Sequence, residues 1–94
     1  MAGYRLMYSE TSRNQILKLH PEIKPIVRKR LELINKEPFK GKKLERELAG
    51  YRSLRVKRFR IVYKINESAK IIEFHYIGHR RDVYELFAER SGRF

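Results

Sequence analysis

The chain has 94 residues, no cysteine, and 23 Lys and Arg against 11 Asp and Glu, for a formal net charge of +12. This length predicts a single domain spanning residues 1–94 with one modest core. The lack of cysteine excludes disulfides, thiolate metal sites and cysteine nucleophiles. No segment reaches the roughly 20 apolar residues of a membrane span and no secretory signal is visible, so we expect a cytoplasmic protein without a membrane partner. The charge indicates a polyanionic partner: RNA, DNA, the ribosome or an acidic protein.

The first part of the chain predicts a short strand, Tyr4–Tyr8, followed by two helices. The candidate N-caps of the first helix are Ser9, Thr11 and Ser12. Its apolar stripe is predicted to be Ile16, Leu17 and Leu19. After a break at Pro21, apolar residues recur at helical spacing until Pro38 ends the second helix: Ile23, Ile26, Val27, Leu31 and Ile34. We expect these two helices to form an αα-hairpin.

From Tyr51 onward the hydrophobic period changes to two, which predicts three antiparallel strands in a meander, "SLRVK", "RFRIVYKI" and "KIIEFHYI". One face would carry the large apolar residues and be covered by the helices. Its members are Leu54, Val56, Phe59, Ile61, Tyr63, Ile65, Ile72, Phe74 and Tyr76. The fold class is therefore α+β.

The loop lengths predict the register of these strands. A two-residue loop at Lys57-Arg58 pairs Arg55 with Arg60. A turn centred on residues 67–68 would place His75 beside Arg60, with His79 further along the same face. Like charges directly opposite each other destabilise a sheet by up to about 1 kcal/mol, and a phosphate bound between two arginines would reverse the sign. We therefore interpret this cationic face as an anion site; the alternative is that the side chains splay into water or are neutralised by Glu73.

The C-terminal segment continues this pattern. Gly78 ends the last strand, and Asp82 with Glu85 resembles a capping box that begins a short C-terminal helix. Arg80 and Arg81 are expected at the edge of the cationic face. The periodicity leaves open whether Tyr84 stacks on a base or packs into the core.

The residue inventory favours RNA chemistry over metal chemistry. No His, Asp or Glu cluster has the spacing of a metal site, and no cofactor motif is present. RNA cleavage by a ribose 2′-hydroxyl needs only alignment, charge stabilisation and protonation of the leaving 5′-oxygen. Arginine, histidine and tyrosine can supply these. The same face could also bind nucleic acid without cutting it.

The order of elements, together with "YRSLRV", "RFRIVYKI" and "IGHRRDVYE", resembles the RelE/ParE superfamily of toxins from toxin–antitoxin pairs. The resemblance covers nearly the whole chain and is closest to the RelE-like branch. It implies a metal-independent mRNA interferase that cuts mRNA in the ribosomal A site. It also implies a cognate antitoxin that wraps the toxin, in a toxin–antitoxin hetero-oligomer.

The RelE pattern carries over to individual positions of this sequence. It assigns phosphate-binding and catalytic roles to Arg55, Arg60, Arg80 and Tyr84. Ser53 stands where the family has a lysine proposed to assist the nucleophile, so His79 or His75 is expected to take that role. Lys57 stands where the family has a turn glycine. The predicted catalytic set is Arg55, Arg60, Arg80, Tyr84 and His79, and the predicted RNA-binding set is Lys57, Arg58, His75 and Arg81.

Two other functions remain open from the sequence. A ParE-like toxin would inhibit DNA gyrase by protein–protein contact and would not need the cationic site. A non-catalytic binding module or inactive antitoxin partner would keep the fold without the chemistry. The arginines at all three carried-over positions favour the ribonuclease.

Overall fold

The computed structural model describes residues 3–79 of the chain. The predicted C-terminal helix and the residues Arg80, Arg81 and Tyr84 lie outside this range. The elements in chain order are β1 (Arg5–Tyr8), α1 (Glu10–Leu17), α2 (Lys24–Lys36), β2 (Lys42–Lys43), β3 (Arg52–Val56), β4 (Phe59–Asn66) and β5 (Ile71–His79), with short 3₁₀ turns at Pro38–Lys40 and Arg46–Leu48.

The five strands form one mixed sheet in the order β1-β5-β4-β3-β2. β1 runs parallel to β5, whereas β5, β4, β3 and β2 are antiparallel neighbours. The α+β class is confirmed. Within residues 3–79, no helix has the length and apolar character needed to cross a membrane.

The predicted start of α1 is correct, and its apolar stripe is correct only in part. Ser9 is the N-cap, because its hydroxyl accepts a hydrogen bond from the backbone N–H of Ser12 at 3.1 Å. Leu19 is buried beneath the helices, but the side chain of Leu17 is 65% exposed. Leu17 therefore lies at the surface, at a groove that it lines with Val27 and Leu31 of α2, whereas the periodicity had placed it in the apolar stripe.

The main core lies between the helices and one face of the sheet. α2 contributes Val27, Leu31 and Ile34, all buried, on one stripe of a helix that begins with Pro25 in its first turn. The sheet contributes Val56, Ile61, Tyr63, Ile72, Phe74 and Ile77. We call this the helix face of the sheet.

The hairpin between β3 and β4 has the predicted register. Arg55 is opposite Arg60, Val56 is opposite Phe59 and Leu54 is opposite Ile61. Lys57 adopts a φ of 56°, the left-handed region that side chains with a Cβ rarely occupy. A two-residue loop needs a positive φ of this kind to match the twist of its strands, so the lysine holds a conformation suited to glycine.

The register between β4 and β5 differs from the prediction. Phe59 is opposite His79, Arg60 is opposite Gly78 and Ile61 is opposite Ile77. The loop contains four residues between Asn66 and Ile71, and a β-bulge interrupts the pairing at Val62/Tyr63, where His75 is the extra residue of β5. The pairing of Arg60 with His75 was therefore wrong.

The bulge also exchanges the two faces of β5 beyond residue 75. Ile77 packs in the main core, whereas Tyr76 packs on the other side of the sheet with Leu48 and Val62. The prediction that all large apolar residues share one face was wrong for Tyr76. An extra residue shifts the two-residue alternation of side chains by one position, which is the cause.

Side chains of α1 hold the irregular part of β5. The Ser12 hydroxyl donates to the Phe74 carbonyl at 2.9 Å, and the Ile77 N–H donates to the Gln15 side-chain oxygen at 2.7 Å. The Ser9 hydroxyl donates to the His75 carbonyl at 3.2 Å. The Phe74 carbonyl also accepts from the backbone N–H of Ser9 at 3.0 Å. Since β1 pairs with β5 only as far as Phe74, the contacts to the His75 carbonyl and the Ile77 N–H satisfy backbone groups beyond the end of that pairing.

Candidate nucleic-acid interface

The face of the sheet turned away from the helices carries the predicted arginine pair, and we call it the open face. Arg55 is exposed and Arg60 is partly buried beside it. The guanidinium Nη1 of Arg60 donates a hydrogen bond of 2.9 Å to the Ser53 hydroxyl, and Ser53 is only 2% exposed. A buried serine therefore fixes the direction of Arg60 across the hairpin, next to the exposed Arg55.

The turn that joins β3 to β4 extends this positive region. Lys57 and Arg58 are both exposed and form the turn between Arg55 and Arg60. Four cationic side chains thus occupy the end of one hairpin. This arrangement suits an anion with several oxygens, because arginine binds phosphate in a bidentate manner and lysine as a point charge.

His75 lies on the open face but in a different neighbourhood from the one predicted. Its Nε2 is 3.1 Å from Oε1 of Glu73, and its ring meets the Tyr51 ring edge-on at 5.2 Å between centroids. Lys64 Nζ lies 5.5 Å from the centroid of the same Tyr51 ring. His75 therefore belongs to a cluster around Tyr51, and Arg60 has Gly78 opposite it instead.

The structure also corrects the predicted position of His79. It pairs with Phe59, and the two rings are 5.1 Å apart with an interplanar angle of 35°. Because Phe59 packs against the main core, the His79 ring lies on the helix side of the sheet end and not beside Arg60. The bulge at His75 is the physical reason. A catalytic role for His79 stays a prediction.

The remaining predicted site residues follow His79 directly in the chain. Arg80, Arg81 and Tyr84 lie outside the described residues, so their roles also stay predictions. Within residues 3–79, no three His, Asp or Glu side chains come together as metal ligands.

Sequence reasoning missed three features of the open face. Ser53 was noted only because the family has a lysine at this position, whereas its hydroxyl accepts a hydrogen bond from Arg60. The segment before β3 folds over the sheet, with Leu48 buried against Val62; the four-residue spacing of Leu44 and Leu48 in a charged stretch was the available signal. The contact of Tyr51 with His75 depends on the bulge, which no local pattern revealed.

Comparisons with known proteins identify the family of this chain. A model of the family described as ParE toxin of type II toxin–antitoxin system, parDE, matches residues 6–84. The chain is 32% identical over 83 residues to toxin RelG of Mycobacterium tuberculosis, covering 86% of this chain and 95% of that protein. In the solved structure of the toxin–antitoxin complex RelBE2 from the same organism, one chain is 31% identical with a TM-score of 0.76, covering 83% of this chain and 99% of that one.

A more distant likeness concerns the fold alone. The isolated E. coli RelE toxin is 20% identical, with a TM-score of 0.73, over 93% of this chain and 97% of that chain. The similar architecture extends over nearly the full length of both proteins.

Proposed function

The chain belongs to the RelE/ParE family of toxins from type II toxin–antitoxin systems, and from this premise we propose that it is a metal-independent mRNA endoribonuclease acting at the ribosomal A site. The observation that carries this proposal is the Arg55–Arg60 pair on the open face, with Arg60 directed by the buried Ser53. A toxin that acts only through protein contact has no need for two adjacent arginines held in this way.

In the proposed reaction the substrate supplies its own nucleophile. The ribose 2′-hydroxyl loses its proton and attacks the adjacent phosphorus. The bond to the 5′-oxygen breaks and that oxygen gains a proton, so the products carry a 2′,3′-cyclic phosphate and a 5′-hydroxyl. Arg55 and Arg60 stabilise the extra negative charge that develops on the phosphate oxygens. From the family resemblance, Arg80 adds a further positive charge and Tyr84 contacts the displaced base.

The positions of the histidines bear on proton transfer. Neither His75 nor His79 is opposite Arg60, since Gly78 occupies that position. This favours a mechanism in which alignment of the 2′-hydroxyl and charge stabilisation lower the barrier more than an imidazole base does. Lys57 and Arg58 are proposed to hold flanking phosphates.

The same proposal includes a cognate antitoxin. One of the similar structures is a toxin–antitoxin complex, RelBE2, and the net charge of +12 suits an acidic partner. We propose that the antitoxin binds this chain in a hetero-oligomer and that the released toxin acts in the cytoplasm, where it meets translating ribosomes.

A second candidate function is supported by the family model, which describes ParE toxins. A ParE-like protein would inhibit DNA gyrase through a protein interface. In that case Arg55 and Arg60 would contribute surface charge without chemistry, and their removal would leave the inhibition of gyrase largely intact.

Ribosome toeprinting distinguishes the two functions. Purified wild-type protein is expected to cut a translated message at A-site codons, and Arg60→Ala is expected to slow the cleavage by roughly 10²- to 10³-fold, because it removes a group that stabilises transition-state charge. Arg30→Ala is the matched control, since Arg30 is exposed on α2, and it should cut at the wild-type rate.

The opposite result is equally clear. An intact message together with inhibited supercoiling by gyrase, in the wild type and in Arg60→Ala alike, would reject the ribonuclease and establish the ParE-like function.

A further inference from the structure

We propose that a cavity lined by Phe39, Tyr51 and Arg52, at the end of the sheet away from the Arg55–Arg60 pair, is a base-binding subsite for single-stranded RNA. The choice of RNA rests on the proposed function. The cavity has a volume of about 390 Å³, at the lower end of the 300–1,000 Å³ typical of small-molecule sites. It is thus large enough for one nucleotide unit.

The cavity contains an aromatic ring that the fold leaves exposed. Phe39 is 51% exposed, although it is a large apolar side chain. The guanidinium carbon of Arg52 lies 5.0 Å from the centroid of the Phe39 ring. Aromatic rings and guanidinium planes are the surfaces on which proteins stack unpaired bases.

The backbone that carries Phe39 is fixed to the sheet. The Tyr63 hydroxyl donates to the Pro38 carbonyl at 2.7 Å and accepts from the Gly41 N–H at 3.1 Å. Arg52 Nη1 donates to the carbonyls of Phe39 and Gly41 at 3.1 and 2.8 Å. Loss of flexibility on binding is therefore small, because the loop is already ordered around its exposed ring.

Two details show how closely this loop packs against the Tyr63 hydroxyl. A Cβ on Gly41 would overlap the Tyr63 hydroxyl, so the close approach requires glycine at that position. Burial raises the pKa of the Tyr63 hydroxyl, while the hydrogen bond from Gly41 and the charge of Arg52 act in the opposite direction. The net effect is a raised pKa, and the protonated hydroxyl is the form that donates to Pro38.

The charges of the lining favour a nucleotide over an acidic peptide. Lys43 and Arg52 supply positive charge for a phosphate, and Lys64 lies over the Tyr51 ring at the border of the cavity. The cavity also includes Glu67. A carboxylate repels an acidic peptide, but it can accept a hydrogen bond from the exocyclic amino group of a base.

The distance between the cavity and the arginine pair follows from the spacing of Tyr51 and Arg55 along the chain. Side chains alternate along a strand, so Tyr51, Ser53 and Arg55 point to the open face. Four residues at about 3.3 Å each separate Tyr51 from Arg55 by about 13 Å. Arg52 is opposite Tyr63 and therefore points to the helix side, so the cavity extends from Tyr51 on the open face around the sheet edge to the Phe39–Arg52 pair. An RNA strand held at the Arg55–Arg60 pair can reach the Tyr51 side of the cavity within a few nucleotides.

An NMR titration of the full-length protein with adenosine 5′-monophosphate tests the subsite without requiring cleavage. We expect backbone amide shifts at residues 39–43 and 50–52. Phe39→Leu retains an apolar side chain but removes the ring, and it should weaken this binding roughly 5- to 100-fold, the range for loss of one stacked base. Leu17→Ala is the control, because Leu17 is also an exposed apolar residue but lies on α1.

The outcomes separate this proposal from the proposed function. Shifts that are absent from residues 39–43 and 50–52, or wild-type affinity in Phe39→Leu, would overturn the subsite even if toeprinting shows cleavage. A hexaglutamate peptide that produces these shifts when the nucleotide does not would also overturn it and indicate a protein partner. Shifts retained in Arg60→Ala would support a subsite separate from the arginine pair, whatever the cleavage assay shows.

Discussion

The two faces of the sheet differ in what they contribute. On the helix face, Ile61, Tyr63 and Phe74 have no exposed surface, and two helices cover them. Among residues 3–79, the open face has only a small apolar cluster around Leu48, with the Arg55–Arg60 pair toward one end and the Tyr51–His75 cluster toward the other. The difference indicates that the helix face supplies most of the stability. The open face can therefore hold like charges side by side, which destabilises the sheet by up to about 1 kcal/mol.

The largest expected effect is a loss of stability when a core residue of the helix face is removed. Phe74→Ala should lower the free energy of unfolding by about 3–5 kcal/mol, because it opens a cavity in the main core. Urea unfolding followed by circular dichroism would measure it. Leu48→Ala on the open face is the comparison, with an expected loss of about 2 kcal/mol. Equal losses would contradict the view that stability comes mainly from the helix face.

The second prediction tests, on the open face, whether the Ser53 hydroxyl positions Arg60 for cleavage. Ser53→Ala removes the hydroxyl that directs Arg60, and the cleavage rate should fall about tenfold, the loss of one hydrogen bond to a charged group. Binding of message and ribosome should change little. Ser53→Thr keeps a hydroxyl and should retain more activity than Ser53→Ala. An unchanged single-turnover rate in Ser53→Ala would show that Arg60 acts without this partner.

The smallest effect concerns the turn between the arginines. Lys57→Gly should raise the free energy of unfolding by about 0.5–1 kcal/mol, because glycine adopts a positive φ without the cost that a Cβ imposes. Arg58→Gly is the control, since Arg58 has no positive φ, and it should give no gain. A stability loss in Lys57→Gly would mean that the lysine side chain stabilises the hairpin by more than its backbone strain.

The sequence predicted those parts of the fold that are determined by residues close together in the chain. The two-residue loop at Lys57-Arg58 predicted the register that pairs Arg55 with Arg60, and Ser9, the N-cap, was one of three candidates. Of the candidate site, the sequence predicted the placement of Arg55 opposite Arg60, because one hairpin determines that pair. Its roles in catalysis stay predictions.

The parts that were missed depend on contacts between distant residues. Ser12 and Gln15 bind the β5 backbone from 62 residues away in the chain, and the bulge lies in the stretch that they hold. No periodicity within β5 indicates an extra residue, so His79 and Tyr76 were assigned to the wrong faces of the sheet. β2 has only two residues, too few for any strand pattern.

The bulge at His75 divides β5 into two halves whose side chains alternate in opposite phase. Before it, residues of even number face the helices, as Ile72 and Phe74 do; after it, residues of odd number do, as Ile77 does. A one-residue deletion at this point would leave the first half unchanged and exchange the surroundings of every later side chain in the strand. A single insertion or deletion there therefore changes which groups reach the open face, and it also exchanges Ile77 for Tyr76 in the main core.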